Sequence, residues 1–252
     1  MTVMVRGPRQ QDVSALLADP PDDVPAIVDR LADLQCLLDR MPGAPGGSPI
    51  AGFNRFYLRI TTGLLERLYD GGFADPAFLA RLDVELAARY FDAVRAWSDA
   101  RPCCPRVWSV LFGRVAAPVP SAAAGINAHI SFDLPFALVT TFDQLGSDPV
   151  DESDQHRDYR QLGDVFAEAV PGLRRGYLDR WQLLIDTMNG DLDEWWQGEA
   201  VTYARNVAWR HAQKLWAIRH DLAASADERA RLDDHAAALS RLLLSPLGAV
   251  FQ

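Results

Sequence analysis

Apolar residues recur at steps of three and four along nearly the whole chain, which is the repeat of an α-helix and not of a strand. Leu79, Leu82, Leu86, Tyr90, Val94 and Trp97 fall on one stripe of a predicted helix over residues 77–97, with Arg81, Asp83, Arg89 and Arg95 to the side. Asp75 followed by Pro76 supplies its start: a capping carboxylate, then a proline where the missing N–H does no harm. The same repeat predicts helices over residues 23–41, 53–69, 105–116, 122–145, 156–170, 174–188, 191–223 and 227–244. No run alternates apolar and polar residues between hairpin turns. The expected fold is all-α, a single domain of roughly eight to ten helices around a buried central helix, taken as the long helix around Trp209.

Breakers mark the joints. The run Pro42-Gly43-Ala44-Pro45-Gly46-Gly47-Ser48-Pro49 cannot be helical, so residues 42–50 form the expected linker between an N-terminal helical segment, 1–41, and a helical core, 51–252. Residues 146–158, with Asp148, Asp151, Glu152 and Asp154, are expected to be a solvated acidic loop; the alternating ligands and central glycine of a calcium loop are missing. No repeat of solenoid period stands out.

Charge and composition narrow the classes. The chain has 252 residues, 34 acidic against 25 basic, and a net charge of -9, so it lacks the clustered cations that a nucleic-acid partner requires. Lys214 is its single lysine. The segment before Gln10 has no apolar run of signal-peptide type, and the longest apolar stretch, taken as 242–251, is broken by Ser245 and Pro246. A cytoplasmic protein is therefore expected, a monomer or homodimer with neither a membrane nor a nucleic acid as partner. Three cysteines, Cys36, Cys103 and Cys104, form neither a disulfide framework nor a metal knuckle.

The chemistry concentrates in Gly125-Ile126-Asn127-Ala128-His129-Ile130-Ser131-Phe132-Asp133-Leu134-Pro135. On a helix His129 and Asp133, four apart, share a face, so the carboxylate can hold one imidazole nitrogen or both can reach one divalent metal ion. Ile126, Ile130, Phe132, Leu134, Phe136, Leu138 and Val139 surround the pair with apolar side chains, and a buried charge needs a partner or a purpose. Pro135 cannot donate to the Ser131 carbonyl and should bend the axis beside Asp133. The plain alternative is a structural pair that locks helices together through hydrogen bonds to backbone or to Asn127.

On the helix around Trp209, Val201, Ala204, Ala208, His211, Leu215 and Ile218 form one stripe. Thr202, Arg205, Trp209, Ala212 and Trp216 form the next. Arg205 and His211 then point inward, Arg205 to pair with Asp133 or to bind an anionic group through its planar fork. Tyr57 with Thr61, and Tyr90 with Asp92, are candidates to line a pocket, and Trp195-Trp196 to floor one. His156, His220 and His235 are expected on the surface. Phosphate loop, nucleophile elbow, metalloprotease helix and di-iron pair are all missing, and no nucleotide or flavin signal is present.

The run from Gly125 to Leu138 resembles the signature of a widespread bacterial domain family of unknown function, with weaker likeness over residues 53–61, 89–91, 105–112 and 205–215. The resemblance implies no activity. The residues themselves point to a helical enzyme acting on a small organic molecule, with His129, Asp133, Arg205 and His211 as catalytic candidates and Asn127, Tyr57, Tyr90 and Trp209 against the substrate. One version places a single divalent metal on His129, Asp133 and His211 for hydrolysis. The other is metal-free acid–base catalysis of an isomerisation, elimination or cyclisation. The alternative from another class is a non-catalytic protein that binds a small molecule or a partner helix, with a structural His–Asp pair.

Overall fold

The computed structural model describes residues 10–41, 48–114, 118–163 and 199–245. These form helices α1 (Gln10–Leu16), α2 (Val24–Arg40), α3 (Pro49–Tyr69), α4 (Pro76–Ser98), α5 (Arg106–Phe112), α6 (Pro118–Ala128), a π-helical turn (His129–Asp133), α7 (Leu134–Leu145), α8 (154–163), α9 (Glu199–Ala217) and α10 (Leu222–Leu243). No strand occurs among the described residues, so the all-α expectation holds. The helix expected over 174–188, residues 164–170 of the helix expected over 156–170, residues 42–47 of the linker, and Trp195-Trp196 lie outside the described residues.

Local chemistry sets the helix starts. Asp23 caps α2 by accepting from the Ala26 N–H at 2.7 Å, and Asp75 caps α4 by accepting from the Phe78 N–H at 3.0 Å. Prolines stand in the first turns of α2, α3 and α4, where their missing N–H would have had no partner anyway. Helix α10 starts on Asp221, whose carboxylate accepts from the N–H groups of Ala223 and Ala224. At the end of α7 Gly146 takes the left-handed conformation, φ 63°, that a side chain would resist.

One apolar core joins all of these elements, from Val13 and Leu17 in and after α1 to Ala236 and Ala237 in α10. Its axis is not α9, as expected, but the continuous run α6–π turn–α7. Helix α6 packs on α3 and α10, α7 packs on α4 and α9, and the π turn touches α4, α9 and α10. Among the described residues the span Pro120–Leu145 is the helix long and apolar enough to cross a membrane by length and composition, yet 78% of its most apolar window is buried inside the protein. A helix that is apolar all round belongs in a core of this kind. Helix α9 lies against it and keeps a wet face with Asn206 and Arg210.

Polar ties cross the core where helices meet. Asn54, fully buried on α3, donates to the Leu31 carbonyl at 2.9 Å and to Gln35 Oε1 at 3.0 Å on α2, and accepts from the Tyr90 hydroxyl on α4. The acidic segment after Gly146 is not simply solvated. Asp148 accepts from the Trp216 indole at 2.9 Å, and Asp151 from Trp209 and Gln213, each at 2.8 Å. Asp158, buried in α8, accepts from the backbone N–H groups of Ala74 and Asp75. Carboxylates that sequence assigns to water are thus used as acceptors for buried or half-buried donors.

Gly125 is the closest approach in the core. A Cβ at this position would overlap Cγ and Cδ2 of the Phe53 ring. Gly125→Ala should therefore lower unfolding free energy by about 1–3 kcal/mol, the range for overpacking a dense core; chemical denaturation with an unchanged m-value is the measurement.

Candidate functional site

The site is built from the bottom of this contact. Because Gly125 has no side chain, Phe53 lies flat on α6, and its ring centroid comes within 5.4 Å of the His129 ring, one turn further along. Tyr57, one turn after Phe53 on α3, stands edge-on to His129 at 4.5 Å. Tyr90 and Trp108 complete the aromatic surround at 6.3 and 6.2 Å. His129 is 5% exposed and Asp133 2%.

The backbone under the pair is the π turn. Leu134 N–H donates to the His129 carbonyl, one residue further back than in an α-helix. The cause is Pro135: it cannot donate, and its ring would crowd the Ser131 carbonyl of a regular turn. The expected disturbance is therefore present, as a widened turn and not as a simple bend. It leaves His129 and Asp133 on one side, with Nδ1 of the imidazole 3.5 Å from Asp133 Oδ2. That separation is not a hydrogen bond here, and both imidazole nitrogens are buried without a hydrogen-bond partner among the described residues. Asp133 Oδ2 instead accepts from the Trp108 indole N–H at 2.9 Å, so the hydrogen bond comes from Trp108 and not, as expected, from Arg205.

Beside His129 lies a small cavity with about 40 Å³ of free space, also bordered by Phe53, Tyr57, Asp83 and Arg205 among aliphatic side chains. Asp83, placed by sequence on the side of α4, is buried at 7% exposure. The Tyr57 hydroxyl donates to its Oδ1 at 3.3 Å, while Oδ2 has no partner. Burial pushes the Asp83 carboxyl up from 3.8 to about 7, against a smaller opposing effect of the Tyr57 hydrogen bond. Burial, and then the neighbouring Asp83, raise the Tyr57 phenol well above its ordinary value. Arg205 is buried at the same cavity and is engaged with Tyr159: its guanidinium donates to the Tyr159 carbonyl and lies 4.3 Å over that ring. Desolvation lowers its pKa.

Of the residues expected to form a site, His129, Tyr57 and Arg205 meet at the cavity, with Asp133 directly behind His129. The others do not border it. Tyr90 stands in the layer behind Phe53, its hydroxyl spent on Asn54. Trp209 donates to Asp151 and stacks on His156 at 4.5 Å. Asn127 faces α10, donating to the Ala236 carbonyl at 2.8 Å and to Ser240 Oγ at 2.9 Å. His211 is half-buried at the α9–α10 seam, 3.7 Å from Glu228. Arg231 and Lys214 hold that glutamate down to about 2. Burial, with Arg231 next, lowers the pKa of His211. Among the described residues no three His, Cys, Asp or Glu side chains gather to hold a metal ion, so the expected His129–Asp133–His211 triad is not assembled. His156 is buried and accepts from the Glu152 N–H, against its expected surface position, whereas His220 and His235 are exposed.

Sequence reasoning missed Asp83 and Trp108. A signal existed for each: Asp83 sits between Leu82 and Val84 with Leu79 and Ala87 one turn away, and Trp108 is the one polar donor on the apolar face of α5.

The Asp83 carboxyl gives a pH test with a definite sign. Its pKa is raised in the folded state, so its contribution to stability is full below pH 3.8 and is lost as pH rises through about 7. The stability difference between Asp83→Asn and the wild type should therefore shift in favour of the variant between pH 4 and pH 8, by a few kcal/mol, as read from denaturation curves across that range.

No curated protein and no solved structure matches this chain. A family model does match, over residues 24–246, which takes in α2 to α10 and every residue around the cavity. The chain belongs to a family of unknown function, DUF5995.

Proposed function

We propose that the cavity beside His129 binds a small organic molecule and acts on it by metal-free acid–base chemistry, of the isomerisation, elimination or cyclisation type. The observation that carries this is that two residues bordering one cavity hold buried polar atoms with no hydrogen-bond partner among the described residues: the imidazole nitrogens of His129 and Oδ2 of Asp83. Buried polar atoms in folded proteins are nearly always satisfied, so a pair of exceptions on residues bordering one cavity supports a ligand site there. Their chemistry also suits proton transfer. A carboxyl held near 7 is close to the ambient pH, where a group can give and take a proton with least cost. Tyr57 links the two residues, its ring against His129 and its hydroxyl on Asp83. The apolar walls favour a compact, largely uncharged substrate body.

In this reading each unusual residue of the run from Gly125 to Leu138 has a task at the cavity or beneath it. Gly125 admits Phe53, Asn127 ties α6 to α10, Pro135 imposes the π turn, and His129 and Asp133 form the polar centre. The free thiols Cys36, Cys103 and Cys104 support a reducing, cytoplasmic setting. The second reading is binding without turnover at the same cavity, favoured by its apolar walls.

A thermal-shift screen of small carbonyl compounds, amides and alcohols, followed by product analysis of the hits, tests the proposal. Wild type is expected to gain several degrees with a hit, and His129→Gln and Asp83→Asn to lose that gain. Turnover in His129→Gln should fall by about 100-fold or more. Hits that bind without product support the binding-only reading. A His129→Gln protein that binds and reacts like wild type, or differs in melting temperature alone, returns the imidazole to a structural role.

A further inference from the structure

The cavity has a direction. Asp133 and Trp108 do not border it, whereas Phe53, Tyr57 and Asp83 do. Asp133 Oδ2 lies off the Nδ1 corner of His129, so the edge carrying Nε2 is the one turned away from Asp133. The Trp108 indole N–H holds that oxygen in place at 2.9 Å. A carboxylate oxygen facing a ring nitrogen across 3.5 Å of buried, apolar space attracts an N–H and repels a lone pair. In its neutral form the imidazole then carries its proton on Nδ1. That leaves Nε2 as an acceptor, without a hydrogen-bond partner among the described residues.

We infer that the site is built to receive a hydrogen-bond donor: Asp133, pinned by Trp108, keeps the imidazole proton on Nδ1, so that Nε2 of His129, a residue bordering the cavity, is the acceptor left for a small molecule bearing an O–H or N–H group. This rests on the cavity being a ligand site, as proposed above, and it adds the ligand's polarity and the atom that takes its proton. Trp108 and Asp133 are positioning residues here. Neither needs to touch the ligand, and the indole is what stops Asp133 from turning elsewhere.

Nitrogen-15 NMR of the full-length protein, labelled at histidine, separates the two neutral tautomers directly. Across a pH series the neutral form of His129, assigned by its loss in His129→Gln, is expected to show a protonated Nδ1 and a bare Nε2. Asp133→Asn should keep that tautomer, because the Trp108 N–H holds the amide oxygen where Oδ2 was. The double variant Trp108→Phe, Asp133→Asn frees the amide to present its NH₂ to Nδ1 and should move the proton towards Nε2. Methanol and acetonitrile, of similar size, then probe the cavity: methanol, an O–H donor, should shift the Nε2 resonance, and acetonitrile, an acceptor only, should not. An Nε2–H tautomer in the wild type overturns the inference, and so does an equal response, or none, to the two probes. The tautomer is independent of any natural ligand, so a failed ligand screen with the Nδ1–H form present counts against the proposed chemistry and not against the positioning by Asp133.

Discussion

Proline at position 135 imposes the constraint on which the site depends. Inside a helix that is apolar on nearly every side, it removes one backbone donor and crowds the carbonyl four residues back, and the chain answers by opening a π turn over His129–Asp133. A regular helix through the same residues would be a plain core element, held by packing alone. The opened turn instead carries an imidazole and a carboxyl group into the interior, and the interior has had to adapt to them. Trp108 supplies an N–H to the carboxyl, Gly125 gives up its side chain so that Phe53 can lie beneath the imidazole, and Tyr57 closes the side.

Helices α2, α3 and α4 were legible because each carries an early proline and a stripe at steps of three and four, with a capping aspartate before α2 and α4. Helix α4 is the clearest case, with Asp75, Pro76 and the Leu79–Leu82–Tyr90–Val94 stripe all in their expected roles. The helix over 122–145 was legible as a helix, but its central place was not, for a physical reason. Residues 118–145 have no polar face, and amphipathic periodicity points to helices at a boundary with water, which is what α9 is. The widening of the turn was hidden as well, since a proline announces a disturbed ladder without saying whether the helix bends or takes in an extra residue.

At the site, adjacency along one helix was readable and convergence between helices was not. His129 and Asp133 are together because they are four apart, and Tyr57 and Arg205 reach the cavity from stripes that sequence identified. Asp83 escaped because one acidic residue beside an apolar stripe has the look of a solvent-facing group; only α3, bringing the Tyr57 hydroxyl to it, shows that it is inside. His211 went the other way. It follows Arg205 by six residues, roughly 240° around a helix, so the two cannot look into the same space.

The acidic segment after Gly146 fastens the cavity wall as a latch fastens a door. Asp148 and Asp151 take hydrogen bonds from Trp216, Trp209 and Gln213, three side chains spread over two turns of the helix that also carries Arg205. Sliding that helix by a single turn would break all three at once, so its register against the bundle is indexed and not continuously adjustable. Enlarging the cavity from its Arg205 side thus requires either the rotation of side chains in place or the release of helix and segment as one rigid piece.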